Sequence, residues 1–278
     1  MGVSGAGHFG DRLAAAVDRK GSPLCVGLDP DPALMPEGLG VVDFCRGIVD
    51  AVAEVAVAVK PQSAFFEAQG AEGWAALIEV CDYARETGLL VIADGKRGDV
   101  PSTARAYAAA FAPLADAVTV SPYLGYDSLE PFFAREGFGV FVLVKTSNRG
   151  GADVQDLPLA DGRPLWQHVA ELVDRWGTDL VGASGLSSVG AVVGATFPQE
   201  VAEARHLLPR SVLLLPGVGA QGARAGDLAE AFSIGPAGAL VSASRSVIYA
   251  DGGAGWQEAA AAEAERLADE LRAVAVPG

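Results

Sequence analysis

Eight short apolar runs recur along the chain, and most of them stop at glycine, proline or polar residues. The runs are Leu24–Leu28, Val55–Val59, Leu89–Ala93, Ala117–Val120, Val140–Val144, Ala191–Gly194, Val212–Leu215 and Ala239–Val241. They are continuous rather than alternating in hydropathy, which is typical of parallel strands covered by helices. Segments with apolar residues at helical spacing follow most of them. This pattern predicts one (β/α)8 barrel, the TIM-barrel fold, rather than an open doubly wound sheet.

We expect a single barrel domain over residues 1–278, since barrels of this length are common. Residues 1–20 form an N-terminal extension with a helix over Asp11–Arg19 that closes one end of the barrel. Further helices are predicted over Asp127–Glu136 and from Gly222 to about Phe232. The connection 149–162 is long and rich in glycine, aspartate and proline, which makes it a candidate lid.

Charge and cysteine usage limit the partners and the compartment. The net charge is −15, so the chain as a whole would repel nucleic acid and an anionic membrane surface. Cys25, Cys45 and Cys81 lie in or beside apolar runs without metal-ligand spacing. No apolar stretch is long enough to span a bilayer, and the first residues lack a secretory signal pattern. We therefore expect a cytoplasmic protein with reduced cysteines.

Polar residues gather where the predicted strands end. In (β/α)8 barrels the carboxyl ends of the strands share one rim, and active sites lie there. The residues that this rim would collect are Asp29, Lys60, Asp94, Lys96, Ser121, Lys145, Ser147, Gly217, Gly219, Gln221 and Arg245.

The most informative of these strand ends is Asp94-Gly95-Lys96-Arg97-Gly98-Asp99. In extended geometry Asp94 and Lys96 share one face, so that Asp94 and Asp99 would flank the Lys96 ammonium. Lys60 lies on the neighbouring strand of the closed sheet and would extend the row of alternating charges. The alternative is a solvated turn with loosely paired surface charges.

The turn Pro216–Gly222 is a candidate phosphate site. Its glycines, Gly217 and Gly219 among them, expose backbone N–H groups, and the ends of the seventh and eighth strands commonly hold phosphate in such barrels. Arg245 can close on the phosphate with two hydrogen bonds. The alternative is a flexible connector beside a surface arginine.

The role of Ser147 and Asn148 stays open. These residues either hydrogen-bond a heterocycle or only begin a turn.

The three histidines lie away from the strand ends. The sequence shows no Ser-His-Asp set and no cluster of metal ligands.

With these strand ends in place, the sequence resembles the orotidine 5′-phosphate decarboxylase family, in its bacterial branch with a D-x-K-R-G-D motif. The motifs that carry the resemblance are Leu28-Asp29-Pro30, Val59-Lys60-Pro61-Gln62, Asp94–Asp99, Lys145-Thr146-Ser147-Asn148, Pro216–Gly222 and Ser244-Arg245-Ser246. Gly95 and Arg149 stand where alanine and proline are more usual in the family, a difference that affects the shape of the loops but no reacting group.

The resemblance implies a role for each matched residue. Lys60, Asp94, Lys96 and Asp99 would form the catalytic array, and Asp99 and Thr103 would reach into the site of a partner subunit in a homodimer. The implied substrate-binding residues are Asp29 and Thr103 for the ribose, Ser147 for the pyrimidine, and Gln221, Arg245, Gly217 and Gly219 for the phosphate.

The implied reaction converts orotidine 5′-monophosphate (OMP) to UMP and CO2 in pyrimidine biosynthesis, with no cofactor and no metal. Protonated Lys96 would stabilise the carbanion that forms at C6 and then donate a proton to it. The alternatives are a metal-dependent sugar-phosphate enzyme of the same barrel suprafamily, a Schiff-base aldolase and a silent phosphate-ligand sensor. Lys60 argues against the first, since those enzymes carry an acidic residue at the second strand end.

Overall fold

The computed structural model describes residues 7–219 and 222–275. Within these residues eight parallel strands close into a barrel in the order of the sequence. The strands are β1 (Leu24–Leu28), β2 (Ala58–Pro61), β3 (Leu90–Arg97), β4 (Ala117–Val120), β5 (Gly139–Lys145), β6 (Val189–Val193), β7 (Leu213–Pro216) and β8 (Ala239–Ala243). The predicted (β/α)8 barrel is confirmed.

Each strand pairs in parallel with its neighbours in sequence, and β1 pairs with β8 to close the barrel. All eight strands therefore end at one rim. The predicted strands β1 and β4 have the observed bounds.

Helices cover the outside of the barrel. They are α1 (Phe9–Lys20), α2 (Val41–Val52), α3 (Ser63–Glu67), α4 (Gly70–Glu86), α5 (Pro101–Phe111), α6 (Glu130–Phe133), α7 (Ala152–Gln155), α8 (Leu165–Trp176), α9 (Pro198–Leu207), α10 (Arg245–Ile248) and α11 (Trp256–Ala275). Short 3₁₀ helices occupy Tyr126–Ser128, Arg149–Gly151, Ala225–Phe232 and Pro236–Gly238. The apolar layer between barrel and helices forms one contiguous buried core.

Helix α1 closes the end of the barrel opposite the strand-end rim, as the sequence predicts. Phe9 and Leu13 are buried against residues that fill the barrel interior. The Phe9 ring meets Phe141 edge-on, with ring centroids 5.8 Å apart. A side chain on Gly139 would lie 2.6 Å from the Phe9 ring, so this position requires a glycine. Burying one such aromatic side chain stabilises the fold by about 2–3 kcal/mol.

The other six strands differ from their predicted bounds, β5 to β8 by at most two residues at either end. The differences in β2 and β3 are larger and have reasons in local hydrogen bonding. The β2 strand begins at Ala58 rather than Val55, because the N–H groups of Val55 and Ala56 still donate to the Val52 carbonyl at the end of α2. The β3 strand continues past Ala93 to Arg97, where a bulge lets Arg97 pair with β4.

Two predicted helices are also different in form. The segment Asp127–Glu136 contains a 3₁₀ turn and then the short helix α6, which has a proline near its start and ends before Gly137. The segment before Phe232 is a 3₁₀ helix over Ala225–Phe232 rather than an α-helix, and its second residue, Gly226, disfavours an α-helical start.

The three cysteines are buried and free, which agrees with their prediction as core residues. In the described part of the chain no helix has both the length and the hydropathy needed to cross a membrane.

Candidate active site

A cavity of about 320 Å³ opens at the strand-end rim. It is lined by side chains and backbone from most of the strand ends, among them Asp29, Lys60, Gln62, Asp94, Lys96, Thr146, Ser147, Asn148, Gly217, Ser244 and Arg245. The volume is in the range that holds a small organic ligand. The structure thus brings seven of the predicted site residues around one space.

Asp94 is the centre of the polar network in this cavity. The Lys60 ammonium donates to Asp94 Oδ2 at 2.6 Å, and the Lys96 ammonium donates to Asp94 Oδ1 at 2.6 Å. Gln62 Nε2 donates to Oδ2 at 3.2 Å, and the Thr119 hydroxyl donates to Oδ1 at 2.8 Å. Each carboxylate oxygen therefore accepts two hydrogen bonds, which fixes the plane of the carboxylate.

Burial and charge act in opposite directions on these groups. Burial opposes ionisation of Asp94, but the ammonium groups of Lys60 and Lys96 outweigh it and hold the Asp94 pKa well below its usual value. Burial likewise disfavours the charged form of Lys60, but Asp94 and Asp29 reverse this and raise the Lys60 pKa above its usual value. Lys60 and Asp94 are therefore both ionised at neutral pH.

Lys96 adopts a strained backbone conformation. Its φ is +46°, and it is the one non-glycine residue with positive φ in the described ranges 7–219 and 222–275. Such conformations cost about 1–3 kcal/mol and cluster at functional sites. The Lys96 backbone N–H donates to the Thr119 hydroxyl at 2.9 Å, so Thr119 supports this conformation while it also binds Asp94.

The side chain of Lys96 is 44% exposed, whereas those of Lys60 and Asp94 are 8% and 7% exposed. Lys96 is therefore the more accessible of the two lysines in the cavity. Lys60 is buried and donates a hydrogen bond to Asp94. A row of alternating charges of this kind offers one fixed cation to negative charge that develops on a ligand.

Asp99 and Thr103 do not line the cavity of their own chain. The Asp99 carboxylate accepts a hydrogen bond from the Val100 backbone N–H at 2.7 Å, and Thr103 lies half-buried in α5. Among the residues that the structure describes, Asp99 forms no ion pair with Lys96. Within one chain, Lys96 is thus held by Asp94 alone.

Asp29 follows β1 and is held by residues near the end of β8. The Ser244 hydroxyl donates to Asp29 Oδ2. The Tyr249 hydroxyl donates to the Asp29 carbonyl at 2.8 Å and accepts from the Asp31 N–H at 2.7 Å. Asp29 Oδ1 is buried and has no hydrogen-bond partner among the residues that the structure describes. Asp29 lines the cavity, so the hydroxyl of a bound ligand would donate a hydrogen bond to this oxygen.

The turn after β7 has the backbone conformation expected for a glycine-rich anion site. Gly217 and Gly219 have φ of +112° and +81°. A side chain on Gly219 would lie 2.7 Å from the Ser246 hydroxyl. Gly217 and the exposed Arg245 line the cavity, whereas Gly219 is exposed and is not part of the lining. The predicted Gln221 lies outside the described residues.

Ser147 and Asn148 line the cavity opposite Asp29. Ser147 packs against Gly194 at the end of β6, where an added Cβ would lie 3.0 Å from Ser147 Cβ. The connection after Asn148, predicted as a lid, contains a 3₁₀ turn, the short helix α7 and a bridge between Pro158 and Pro164.

Sequence reasoning gave no role to Thr119, Gln62, Ser244 or Tyr249. One signal was available for Thr119, because it is the one polar residue in the apolar strand β4. Tyr249 is more than 200 residues away from Asp29 in the sequence, so only the closure of the barrel brings the two together.

The candidate site carries no group of metal ligands. Over residues 7–219 and 222–275, no three His, Cys, Asp or Glu residues are placed to hold a metal ion. The carboxylate best placed to bind a cation in the cavity, Asp94, is already occupied by two lysines and two neutral donors.

Comparison with known proteins gives consistent matches over almost the whole chain. A sequence model of the orotidine 5′-phosphate decarboxylase / HUMPS family matches residues 22–262. Proteins named orotidine 5′-phosphate decarboxylase from Rhodopirellula baltica and Roseiflexus castenholzii are 43% and 47% identical to this chain. They cover 95% and 96% of it, and 99% and 98% of their own lengths. The solved structure of Leishmania donovani OMP decarboxylase matches with a TM-score of 0.82 at 38% identity, over 96% of this chain and 99% of that chain.

Proposed function

The chain belongs to the orotidine 5′-phosphate decarboxylase / HUMPS family, and from this premise we propose that it decarboxylates OMP to UMP and CO2 in pyrimidine biosynthesis. The proposed reaction makes it a carbon–carbon lyase that needs no cofactor and no metal. The observation that carries this assignment is the Lys60–Asp94–Lys96 row, with both ammonium groups 2.6 Å from the same carboxylate.

The cavity suits a nucleotide with its base and its phosphate at opposite ends. Arg245 and the backbone of Gly217 bind the phosphate, with Gln221 and Gly219 completing this end of the site. Ser147 hydrogen-bonds the pyrimidine. A ribose hydroxyl donates to Asp29 Oδ1, the buried oxygen that lacks a partner.

Decarboxylation breaks the bond between C6 and the carboxylate, and the electron pair of that bond stays on C6. No ring position delocalises this pair, so the barrier reduction required is on the order of 20 kcal/mol. The Lys96 ammonium stabilises the negative charge as it forms and then transfers one proton to C6, which yields UMP and a neutral amine. Solvent reprotonates the amine before the next turnover.

Asp94 holds Lys96 in place and faces the substrate carboxylate. Its ionised state is supported by Lys60 and Lys96, so a negative charge remains fixed beside the group that leaves. This repulsion is relieved when CO2 departs. The Lys96 ammonium is already in position, and it stabilises the negative charge once that charge develops at C6. Binding energy at the remote phosphate offsets the repulsion in the bound state.

The active form is a homodimer in which Asp99 and Thr103 complete the partner's site. Two features support this. Neither residue lines the cavity of its own chain. Val100, which follows Asp99, is 52% exposed. Tyr123 and Leu124, which are 84% and 45% exposed, follow Ser121, whose backbone N–H donates to the Arg97 carbonyl at 2.7 Å. These exposed apolar side chains are ones that a second copy would bury. The buried free cysteines and the anionic substrate fit a cytoplasmic location.

The HUMPS part of the family gives the rival assignment, a sugar-phosphate enzyme that uses a divalent metal. The test is CO2 release and UMP formation from OMP by purified protein that has been dialysed against chelator. We expect the same rate with chelator and with added Mg²⁺. No turnover, or turnover that requires the metal, would reject the assignment.

A further inference from the structure

Lys145 is a buried cation at the strand-end rim that the proposed reaction does not use. Its side chain is 5% exposed at the end of β5, and it does not line the cavity, although the next three residues do. A buried ammonium is costly unless it is paired. Lys145 forms an ion pair with Asp156, just after α7, and its Nζ lies 3.6 Å from Glu200 Oε1 on α9.

A second link joins the same two segments next to this ion pair. The Thr146 backbone N–H donates to Gln155 Oε1 at 2.9 Å, and Gln155 Nε2 donates to the Thr146 hydroxyl at 2.7 Å. The Thr146 hydroxyl in turn donates to Asn148 Oδ1 at 2.7 Å. A side chain on Gly151 would lie 3.1 Å from both Gln155 Oε1 and the Thr146 hydroxyl, so the backbone passes close to this link.

These contacts hold a segment that has little other support. Between residues 149 and 157 only Gly151 is buried and only Gln155 is half-buried, and the other residues are exposed. The far end is tied by one backbone hydrogen bond, from the Leu165 N–H to the Leu157 carbonyl at 2.9 Å. The position of the segment therefore depends on the Lys145 and Thr146 contacts.

We propose that Lys145, Thr146, Gln155 and Asp156 form a latch, which fixes the segment 149–157 on the end of β5 and so positions Ser147 and Asn148 toward the substrate. These four are positioning residues, since they act through Ser147 and Asn148. The inference rests on the proposed function for its choice of substrate.

Glu200 gives the latch a second carboxylate. Its Oε2 is buried and has no hydrogen-bond partner in the described part of the chain, so it can accept a hydrogen bond from Lys145 when Asp156 is lost. Loss of Asp156 therefore frees the segment without leaving the Lys145 charge unpaired in the interior. Asp156 is 43% exposed, which makes its substitution compatible with folding.

The test combines hydrogen exchange with steady-state kinetics on the full-length protein. The variants are Asp156→Asn and Gln155→Ala, with Asp156→Glu as the conservative replacement. Asp174→Asn is the matched control, because Asp174, on α8, pairs with Arg210 in the turn before β7 at 2.9 Å and lies outside the cavity lining. Amide exchange over residues 147–157 is measured without ligand, and KM and kcat are measured with OMP.

We expect Asp156→Asn and Gln155→Ala each to speed exchange in this segment about tenfold and to raise KM by a similar factor, with kcat within about twofold of wild type. Asp156→Glu and Asp174→Asn should behave like wild type. Unchanged exchange in both test variants would overturn the latch. A lower kcat with unchanged KM would also overturn it, because that result indicates a merely structural role. Failure of the wild-type protein to decarboxylate OMP would reject the proposed function but leave the exchange result to decide the latch.

Discussion

Thr119 binds both parts of the motif that carries the proposed chemistry, because its hydroxyl donates to the Asp94 carboxylate at 2.8 Å and accepts from the Lys96 backbone N–H at 2.9 Å. One side chain on β4 thereby stabilises the positive φ of Lys96 and orients its counter-ion. Lys96 and Asp94 lie two residues apart on a bulged part of β3, where the regular strand geometry no longer fixes their relation.

We predict that Thr119→Val, which keeps the shape of the side chain but removes the hydroxyl, lowers kcat/KM for OMP by about 10- to 100-fold. The loss of hydrogen bonds to a charged group and to a strained backbone accounts for this range. Thr119→Ser should keep most of the activity. The control is Thr178→Val, whose exposed hydroxyl donates to the Asp174 carbonyl at 3.1 Å and accepts from Arg210 at 3.5 Å, away from the cavity. Equal activity of Thr119→Val and wild type would show that the Thr119 hydroxyl is not needed to position Asp94 and Lys96.

The stability of the protein should depend on the ionisation of Asp94. Its pKa is depressed in the folded state, because two ammonium groups outweigh the effect of burial. The stabilisation is therefore complete above the ordinary aspartate pKa of about 3.9 and is lost as the pH falls toward the folded-state value. Wild type should be more stable than Asp94→Asn by about 2 kcal/mol at pH 6.

This advantage should shrink between about pH 5 and pH 3. Urea denaturation of both proteins across that range measures it. The other carboxylates titrate in both proteins, so the difference isolates Asp94. An advantage that stays constant with pH would show that Asp94 is not ionised in the way that the two lysines require.

Tyr249 should control the position of Asp29. Its hydroxyl bridges the Asp29 carbonyl and the Asp31 N–H, while its ring stacks on Phe44 with centroids 5.7 Å apart. Tyr249→Phe removes both hydrogen bonds and keeps the stacking. We expect KM for OMP to rise about 5- to 10-fold with kcat little changed, since the ribose site loosens. Tyr83→Phe is the control, because that hydroxyl bonds Asp50 at the surface.

The assignment of Asp99 to the partner's site predicts complementation between inactive subunits. Lys96→Ala and Asp99→Ala should each be inactive alone. When the two are mixed and their subunits exchange, each mixed dimer regains one complete site, so the mixture should recover roughly a quarter of wild-type activity. Verified subunit exchange without recovery would place Asp99 in the site of its own chain.

Much of the fold was predictable from local patterns, because parallel strands buried on both faces leave continuous apolar runs. Leu24–Leu28 and Ala117–Val120 have the same bounds in the structure. Bounds that depend on neighbouring elements were not predictable. The Val52 carbonyl at the end of α2 delays the start of β2, and pairing of Arg97 with Val120 extends β3 beyond the apolar run.

The candidate site, like the fold, was predictable only in part. Lys60, Asp94 and Lys96 stand out because charged residues interrupt apolar strands, and the parallel order brings them together. The groups that hold them were not visible in the sequence. Thr119 and Tyr249 act through contacts with residues that are distant in the chain, and the link between Lys145 and Asp156 depends on how the connection after β5 folds back.

In the proposed reaction the Lys96 ammonium, held by Asp94, stabilises and protonates C6 of the substrate. The most direct measurement is the rate of CO2 release from OMP by Lys96→Ala, compared with wild type and with Lys20→Ala. Lys20 is a matched control, since its ammonium caps the Ala53 carbonyl at the opposite end of the barrel. Lys96→Ala should lose more than about 10³-fold in kcat/KM, while Lys20→Ala keeps wild-type activity. A folded Lys96→Ala protein that decarboxylates OMP within about tenfold of the wild-type rate would contradict it.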